Sequence, residues 1–274
     1  MTKIRTRIAL AAIAATLAGC QTPPPTSPEA VGEYRKGSGY LNGYLDRKQH
    51  PDSLALLPPA PAPGSARAAA DLDAHRAARA LRDGPRGVLA RQDVNLAFPA
   101  AAETFSCALD LPISQEQTPH LNMLLRRTLV DAGLATYAAK EHYKRQRPYT
   151  TLGEPTCEPS EEQKLSKDGS YPSGHAALGW TWALVLAEVA PDRLDRVLAR
   201  GREFGQSRVV CGYHWQSDVD AGREVGAAAF ARLQSNETFR AQIALAKTEV
   251  AAARARGLRP TRDCAAEATA LRAR

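Results

Sequence analysis

The sequence predicts an all-α protein folded as a compact helical bundle, and three observations point there. From Ser65 onward the chain is dominated by Ala, Leu, Arg and Glu, with few alternating runs of β-branched residues, a balance that favours helix over strand. Leu121, Leu124, Leu125, Thr128, Leu129, Ala132 and Ala135 recur at intervals of three to four residues, the signature of one helix face. His175 to Ala190 is apolar around most of its circumference, which suits a helix in the middle of a bundle.

The 121–135 helix is expected to run on through Lys140 and to stop at Pro148, because a proline ring cannot extend the turn before it. The central helix begins behind Ser173, a good N-cap, and ends before Pro191. Asp192 to about Gly205, Asp218 to Leu233 and Thr238 to about Arg256 supply three further helices. There is no internal repeat and no second candidate membrane span.

The N-terminus reads as an export signal. Lys3, Arg5 and Arg7 precede a short apolar run, Ile8 to Leu17, too short to span a bilayer. Leu17-Ala18-Gly19-Cys20 looks like a lipobox, so residues 1–19 form a lipoprotein signal peptide and Cys20 is the lipid attachment site. The alternative is ordinary signal cleavage near Ala18-Gly19, with Cys20 discarded or left as an odd thiol. A Pro/Thr/Ser-rich tether, 20–38, follows, and 39–274 forms a single helical domain. A second proline cluster, Leu57 to Gly64, is expected to drape over the domain surface, since what precedes it is too short to fold alone. The protein is therefore expected in the periplasm, held to the outer membrane only by acyl chains.

The formal charge of +7 includes Lys3, Arg5 and Arg7 and no acid before Cys20, so the mature chain carries about +4. That mild, interspersed balance does not suggest a nucleic-acid surface. Cys107, Cys157, Cys211 and Cys264 remain, an even number in an exported chain, and read as two disulfides with all three pairings open. They form no CxxC or Cys/His cluster of the kind zinc uses. Cys211, near His214, could also be weighed as a thiol nucleophile, but no Cys-His protease pattern surrounds it.

Three segments carry the chemistry. Lys140 and Arg147 lie seven residues apart, nearly two helical turns, so one helix face could present both cations, while Lys144 and Arg145 beside them read as solvated decoration. Ser173-Gly174-His175 opens the central helix, whose N-terminus favours an anion, and Gly174 lets the backbone approach it. Ser207-Arg208 precedes His214 and Asp218, an i, i+4 pair in which the carboxylate can orient the imidazole, and Gly212 suggests a bend that turns Arg208 toward them. A phosphoester needs fixed cations for its oxygens, a nucleophile and a proton donor.

Together, Lys140-x6-Arg147-Pro148, Pro172-Ser173-Gly174-His175 and Ser207-Arg208-x5-His214-x3-Asp218 resemble the signature of the phosphatidic acid phosphatase type 2 and vanadium haloperoxidase superfamily. The flanking Asp131 to Ala135, Asp168 to Tyr171 and Cys211 to Asp220 resemble its bacterial class A non-specific acid phosphatases. The resemblance implies that fold type and metal-independent hydrolysis of small phosphomonoesters, with His214 as nucleophile, Asp218 orienting it and His175 as acid and base. Lys140, Arg147, Ser173, Gly174 and Arg208 would hold phosphate oxygens. It implies no cofactor and no metal, a broad substrate range, phosphotransfer to alcohols in some members, and a homo-oligomer.

His50, His75, His120 and His142 are scattered and read as surface or internally satisfied histidines. The rival readings are a lipid phosphatase, which would need several hydrophobic spans, a vanadate-dependent haloperoxidase, and a phosphate-binding lipoprotein without chemistry, for which an oriented histidine facing a second one would be superfluous.

If Cys20 is acylated, the protein made in a Gram-negative host will sediment with membranes and incorporate labelled palmitate, and Cys20→Ala will lose the label. Wild-type protein free in the periplasmic fraction, with its N-terminus at Gly19 or beyond Cys20, would refute the anchor.

Overall fold

The structure is a computed structural model, and it describes residues 22–273. The signal peptide and Cys20 lie outside the described residues. Helices of seven residues or more are numbered α1 to α9: Ala66–Arg79, Pro85–Gln92, Pro119–Leu134, Tyr137–Tyr143, Gly174–Val189, Leu194–Val210, Gln216–Leu233, Glu237–Ala255 and Cys264–Arg272. Among the described residues the β-structure is limited to one isolated bridge, Glu33 with Leu41. The fold is all-α.

Local chemistry sets the helix starts. Ser65, Ser173, Asn236 and Asp263 each accept a first-turn N–H through their side chains, at the heads of α1, α5, α8 and α9. Pro85 and Pro119 occupy the first positions of α2 and α3, where a missing N–H costs nothing.

Helix α5 is the axis of the bundle. Ala176, Ala177, Leu178, Trp182, Ala183, Val185 and Leu186 are all buried, on every side of it. Trp182 packs edge-on to Phe98 and Phe105, and its indole N–H donates to the Leu125 carbonyl at 2.9 Å, joining α5 to α3. On the other side α7 approaches backbone to backbone. A Cβ at Gly222 would lie 2.5 Å from the Ser173 carbonyl oxygen, and one at Gly226 would collide with that of Ala177. Thr181 Oγ1 bonds across to the Gly226 carbonyl at 3.0 Å, and the Ser173 N–H donates to the Asp218 carbonyl at 2.8 Å. The heads of α5 and α7 are therefore locked together, and both carry residues of the signature.

Three sequence expectations change. The helix through 121–135 does not run on to Pro148: it ends at Leu134, restarts at Tyr137 and ends again at Tyr143, where Lys144 turns left-handed at φ 42°. Arg147 is then the extended N-cap of a short helix, Pro148–Leu152, so Pro148 starts a helix rather than stopping one. Lys140 and Arg147 do not share a helix face. The segment from Pro23 onward, expected as a spacer, lies on the domain: Pro24 is buried, and the Thr26 carbonyl accepts from Gln115 Nε2 at 2.7 Å. Buried Asp131 further fixes the chain by accepting the N–H groups of Tyr44 and Leu45 at 2.8 and 3.1 Å.

The proline cluster does drape over the surface, with Leu57 and Pro61 tucked in and the Pro58 carbonyl accepting from Tyr171 Oη at 2.9 Å. Of the open pairings the structure selects Cys107–Cys264 and Cys157–Cys211, with Cα atoms 5.4 and 4.7 Å apart. A disulfide sulfur is no thiolate, so Cys211 is not a nucleophile. No described helix is long and apolar enough to cross a membrane.

Because α7 meets α5 without room for a side chain, Gly226→Val should destabilise the protein by about 1–3 kcal/mol through overpacking. Urea unfolding of the oxidised protein would show it as a lowered midpoint at unchanged m-value, whereas Gly133→Ala, where a Cβ meets nothing within 4 Å, should stay near wild type.

Candidate active site

Four separate pieces of chain converge at the heads of α5 and α7. Lys140 comes from α4, Arg147 from the turn behind it, Arg208 from the last turn of α6 and His214 from the loop before α7. All four are buried, at 4, 3, 1 and 2% exposure. Gly212, at φ 74°, makes the bend between Arg208 and His214, and both the Tyr213 and His214 N–H groups fold back onto the Arg208 carbonyl.

The tautomer of His214 follows from its partners. Arg147 Nη1 lies 3.0 Å from His214 Nε2, and a guanidinium can only donate, so Nε2 carries the lone pair. Nδ1 carries the hydrogen and faces Asp218 Oδ2 at 3.4 Å and Ser170 Oγ at 3.3 Å. The i, i+4 pairing of His214 with Asp218 holds, but not on one helix: Asp218 sits in the first turn of α7 and His214 lies outside it. Asp218 Oδ2 also accepts the Trp215 N–H at 2.8 Å and a short bond from Ser170 Oγ.

His175, the second residue of α5, is half-buried and stacks on Phe204 with ring centroids 6.0 Å apart. Its Nε2 lies 3.2 Å from the Val94 carbonyl, which can only accept, so Nε2 carries a hydrogen and Nδ1 is the nitrogen left for proton exchange. Ser173 caps the helix through Ala176 N, and Gly174 contributes one of its unpaired first-turn amides.

The electrostatics are one-sided. Burial, then the charges of Arg147, Lys140 and Arg208, hold His214 well below the ordinary histidine range. Burial, then Arg208, hold His175 well below it too. Both go the same way, because both are buried and Arg147 and Arg208 bear on both. Lys140 falls to about 8 and Arg208 to about 9, in each case mainly through burial. Lys140 Nζ donates to the Gly169 carbonyl at 2.5 Å and lies 3.3 Å from Asp168 Oδ2, which is 3.7 Å from Arg147 Nη2. Arg208 lies with its guanidinium carbon 4.0 Å from the Tyr213 ring centroid, and its buried Nε and Nη1 have no partner among the described residues. A buried cationic donor without an acceptor is costly, and an anion is the partner that would satisfy it.

Lys140, Arg147, Ser173, Gly174, His175, Arg208, His214 and Asp218 therefore lie in one locus, while His120 lies elsewhere against Gln242, and His75, bonded to Glu154, packs behind the His214 loop against Trp215. A cleft of about 370 Å³ lined by Lys140, Lys144, Arg147, Lys167 and Asp168 opens beside the site, and a larger one of about 930 Å³, between α2 and α9, holds none of these residues. Among the described residues no group of three or more His, Cys, Asp or Glu is placed to hold a metal ion. The Cys157–Cys211 bridge ties the 153–168 loop to the loop of His214.

Sequence reasoning missed four residues. Arg145 is not solvated decoration: its side chain is 12% exposed and binds both Asp218 and Asp71. Ser170 donates to Asp218, and Ser217 accepts from Arg145 and donates to Asp71. Ser170 stood in a flanking segment that resembled the family and could have been found there. Asp71, seventy residues upstream on α1, gave no signal at all.

The model of the PAP2 superfamily matches residues 121–238, which hold all these signature positions. A non-specific acid phosphatase of Providencia stuartii is 49% identical over 76% of this chain and 84% of its own length. One from Salmonella typhimurium is 42% identical over 73% of this chain and 80% of its own, and an acid phosphatase of Zymomonas mobilis is 38% identical over 75% and 78%. The chain belongs to the non-specific acid phosphatases of the PAP2 superfamily. It is an enzyme of that family.

Two histidines held neutral make folding pH-dependent. An unfolded histidine binds a proton below about 6.5, whereas His175 and His214 resist it in the fold, so their contribution is present above that pH and lost below it. The urea midpoint should fall between pH 7 and pH 5.5, and His175→Asn with His214→Asn should flatten that fall. An equally steep fall in the double variant would show that other groups control it.

Proposed function

We propose that this acid phosphatase hydrolyses small phosphate monoesters at acidic to neutral pH, without a metal, through a phosphohistidine at His214 Nε2. The observation that carries the reading is the Nε2 lone pair set among Lys140, Arg147 and Arg208. A lone pair within reach of three cations is a nucleophile beside a seat for the oxygens of its target.

In this scheme the equatorial oxygens of the phosphoryl group take the unpartnered donors of Arg208, displace Asp168 from Lys140 and Arg147, and accept from the Ser173 hydroxyl and the Gly174 amide. Arg147 turns from Nε2 to a phosphoryl oxygen, which frees the lone pair to attack phosphorus. As the P–N bond forms, the P–O bond to the alkoxide breaks, and His175 Nδ1 gives that oxygen its proton. His175 has to be protonated for this step. The negative charge of the bound ester offsets Arg208 and Arg147 and brings it back toward its ordinary range. Ser170 and Asp218 stabilise the positive charge on His214. His175, now neutral, takes a proton from water, whose oxygen attacks phosphorus and breaks the P–N bond, releasing phosphate.

The same intermediate can pass its phosphoryl group to an alcohol in place of water, so phosphotransfer is part of the proposal, as are a broad range of leaving groups and homo-oligomerisation. The working location is the periplasm, with Cys20 acylated at the outer membrane. The support there is the N-terminal sequence alone.

His214→Ala should abolish turnover. His175→Ala should lose about 10²–10⁴-fold toward alkyl phosphates, the usual scale for a lost general acid, and distinctly less toward p-nitrophenyl phosphate, whose leaving group needs no proton. Vanadate, which adopts five-coordinate geometry, should inhibit, and EDTA should not. Activity lost to EDTA and restored by Mg²⁺ or Zn²⁺, or retained by His214→Ala, would overturn the scheme.

A further inference from the structure

Arg145 stands outside the signature, two residues before Arg147, yet it is tied more closely to the nucleophile's carboxylate than any other cation. Its Nη1 donates to Asp218 Oδ1 at 2.6 Å and to Ser217 Oγ at 2.8 Å, and its Nη2 to Asp71 Oδ2 at 2.7 Å. Asp71, on α1, is itself fixed by the N–H and hydroxyl of Ser217 at 2.8 and 2.6 Å. The Arg145 carbonyl accepts the Ser170 N–H at 2.8 Å, so the same residue sets the serine that bonds Asp218 from its other side. Asp71 and Asp218 are buried, at 3 and 0% exposure, and Arg145 lies against the Trp215 ring with its guanidinium carbon 5.6 Å from the centroid. Arg145 is thus a cation shared by two buried carboxylates, one of which orients the nucleophile.

We propose that Arg145 is a positioning residue that sets the acid limit of catalysis: by neutralising Asp218 from behind, it stops that carboxylate from drawing a second proton onto His214. The inference rests on His214 being the nucleophile. Such an enzyme has a particular difficulty at acid pH, since an ordinary histidine is half protonated near pH 6.5 and a protonated Nε2 cannot attack. A bare carboxylate 3.4 Å from Nδ1 would make that worse by stabilising the imidazolium. The groups facing His214 from each packed element are Lys140 on α4, Arg147 behind it, His175 on α5, Arg208 on α6, Asp218 on α7, and Asp168 across the two cations it bridges. Among the described residues Asp218 is the acid paired with the ring, and Arg145 is the cation bound to it.

The test compares the pH dependence of kcat/KM for full-length wild type, Arg145→Gln, Arg145→Lys and Asp71→Asn. Removing the cation should raise the acid limb of Arg145→Gln by about one pH unit, the low end of what a single adjacent charge does. Arg145→Lys, which keeps the charge, should restore it. Asp71→Asn leaves Arg145 undivided on Asp218 and should not raise the limb. A purely structural arginine would lower activity at all pH values and leave the limb in place, and that result with folded, active Arg145→Gln would sink the proposal. If Arg145→Gln does not fold, an upward shift in Asp71→Asn or Arg145→Lys would do the same. The pH dependence of diethyl pyrocarbonate modification at His214, followed by peptide mapping, reads the same proton without turnover. It should shift in parallel, and no shift there refutes the inference even if the phosphatase reading itself were to fail.

Discussion

Three buried cations converge on one imidazole, and the rest of the structure answers that constraint. Taking a charged side chain out of water costs on the order of several kcal/mol unless its donors are met. Arg147 meets the cost with the carbonyls of Leu165, Asp168 and Tyr213. Lys140 has the Gly169 carbonyl and Asp168, but among the described residues Arg208 Nε and Nη1 have no acceptor and its guanidinium lies over the Tyr213 ring, so one part of the cluster is left unbalanced. An anion-binding enzyme needs that imbalance, because a site whose charges are fully satisfied internally has nothing to offer a phosphate.

Holding such a cluster requires backbone that does not yield. The glycines of α7 bring it within side-chain-free distance of α5, and the Ser173 N–H joins the two heads through the Asp218 carbonyl. The helix that carries His175 and the helix that carries Asp218 are therefore joined directly through their backbones. The Cys157–Cys211 bridge adds the loop bearing Asp168 to the same frame, and buried Asp131 pins the N-terminal segment to α3. Stability and chemistry meet in these contacts.

The all-α class and the positions of α5, α7 and α8 were legible because helical periodicity and burial on all sides leave a pattern in the residues themselves. The break after Leu134 was not, since nothing between Ala135 and Tyr143 forbids a continuous helix, and the Ala139 N–H in the first turn of α4 is met by Ser53 Oγ from a distant segment. The consequence was a wrong geometry for a right pair: Lys140 and Arg147 do meet, but across a left-handed turn at Lys144 and not along one helix face. Arg145 was misread for a related reason. Two adjacent cations on a helix end usually face water, and the buried carboxylates that claim this one come from α1 and α7.

The sequence by itself determined which residues could do the chemistry, because phosphoryl transfer needs particular functional groups and these stand in a characteristic order along the chain. It determined the family for the same reason. Tertiary structure decided what each group can do: which nitrogen of His214 holds the lone pair, which disulfides form, and which way both histidines titrate. Those are properties of distance and burial between segments far apart in the chain, such as Asp71 and Asp218, and no local pattern encodes a field that exists only once the helices have packed.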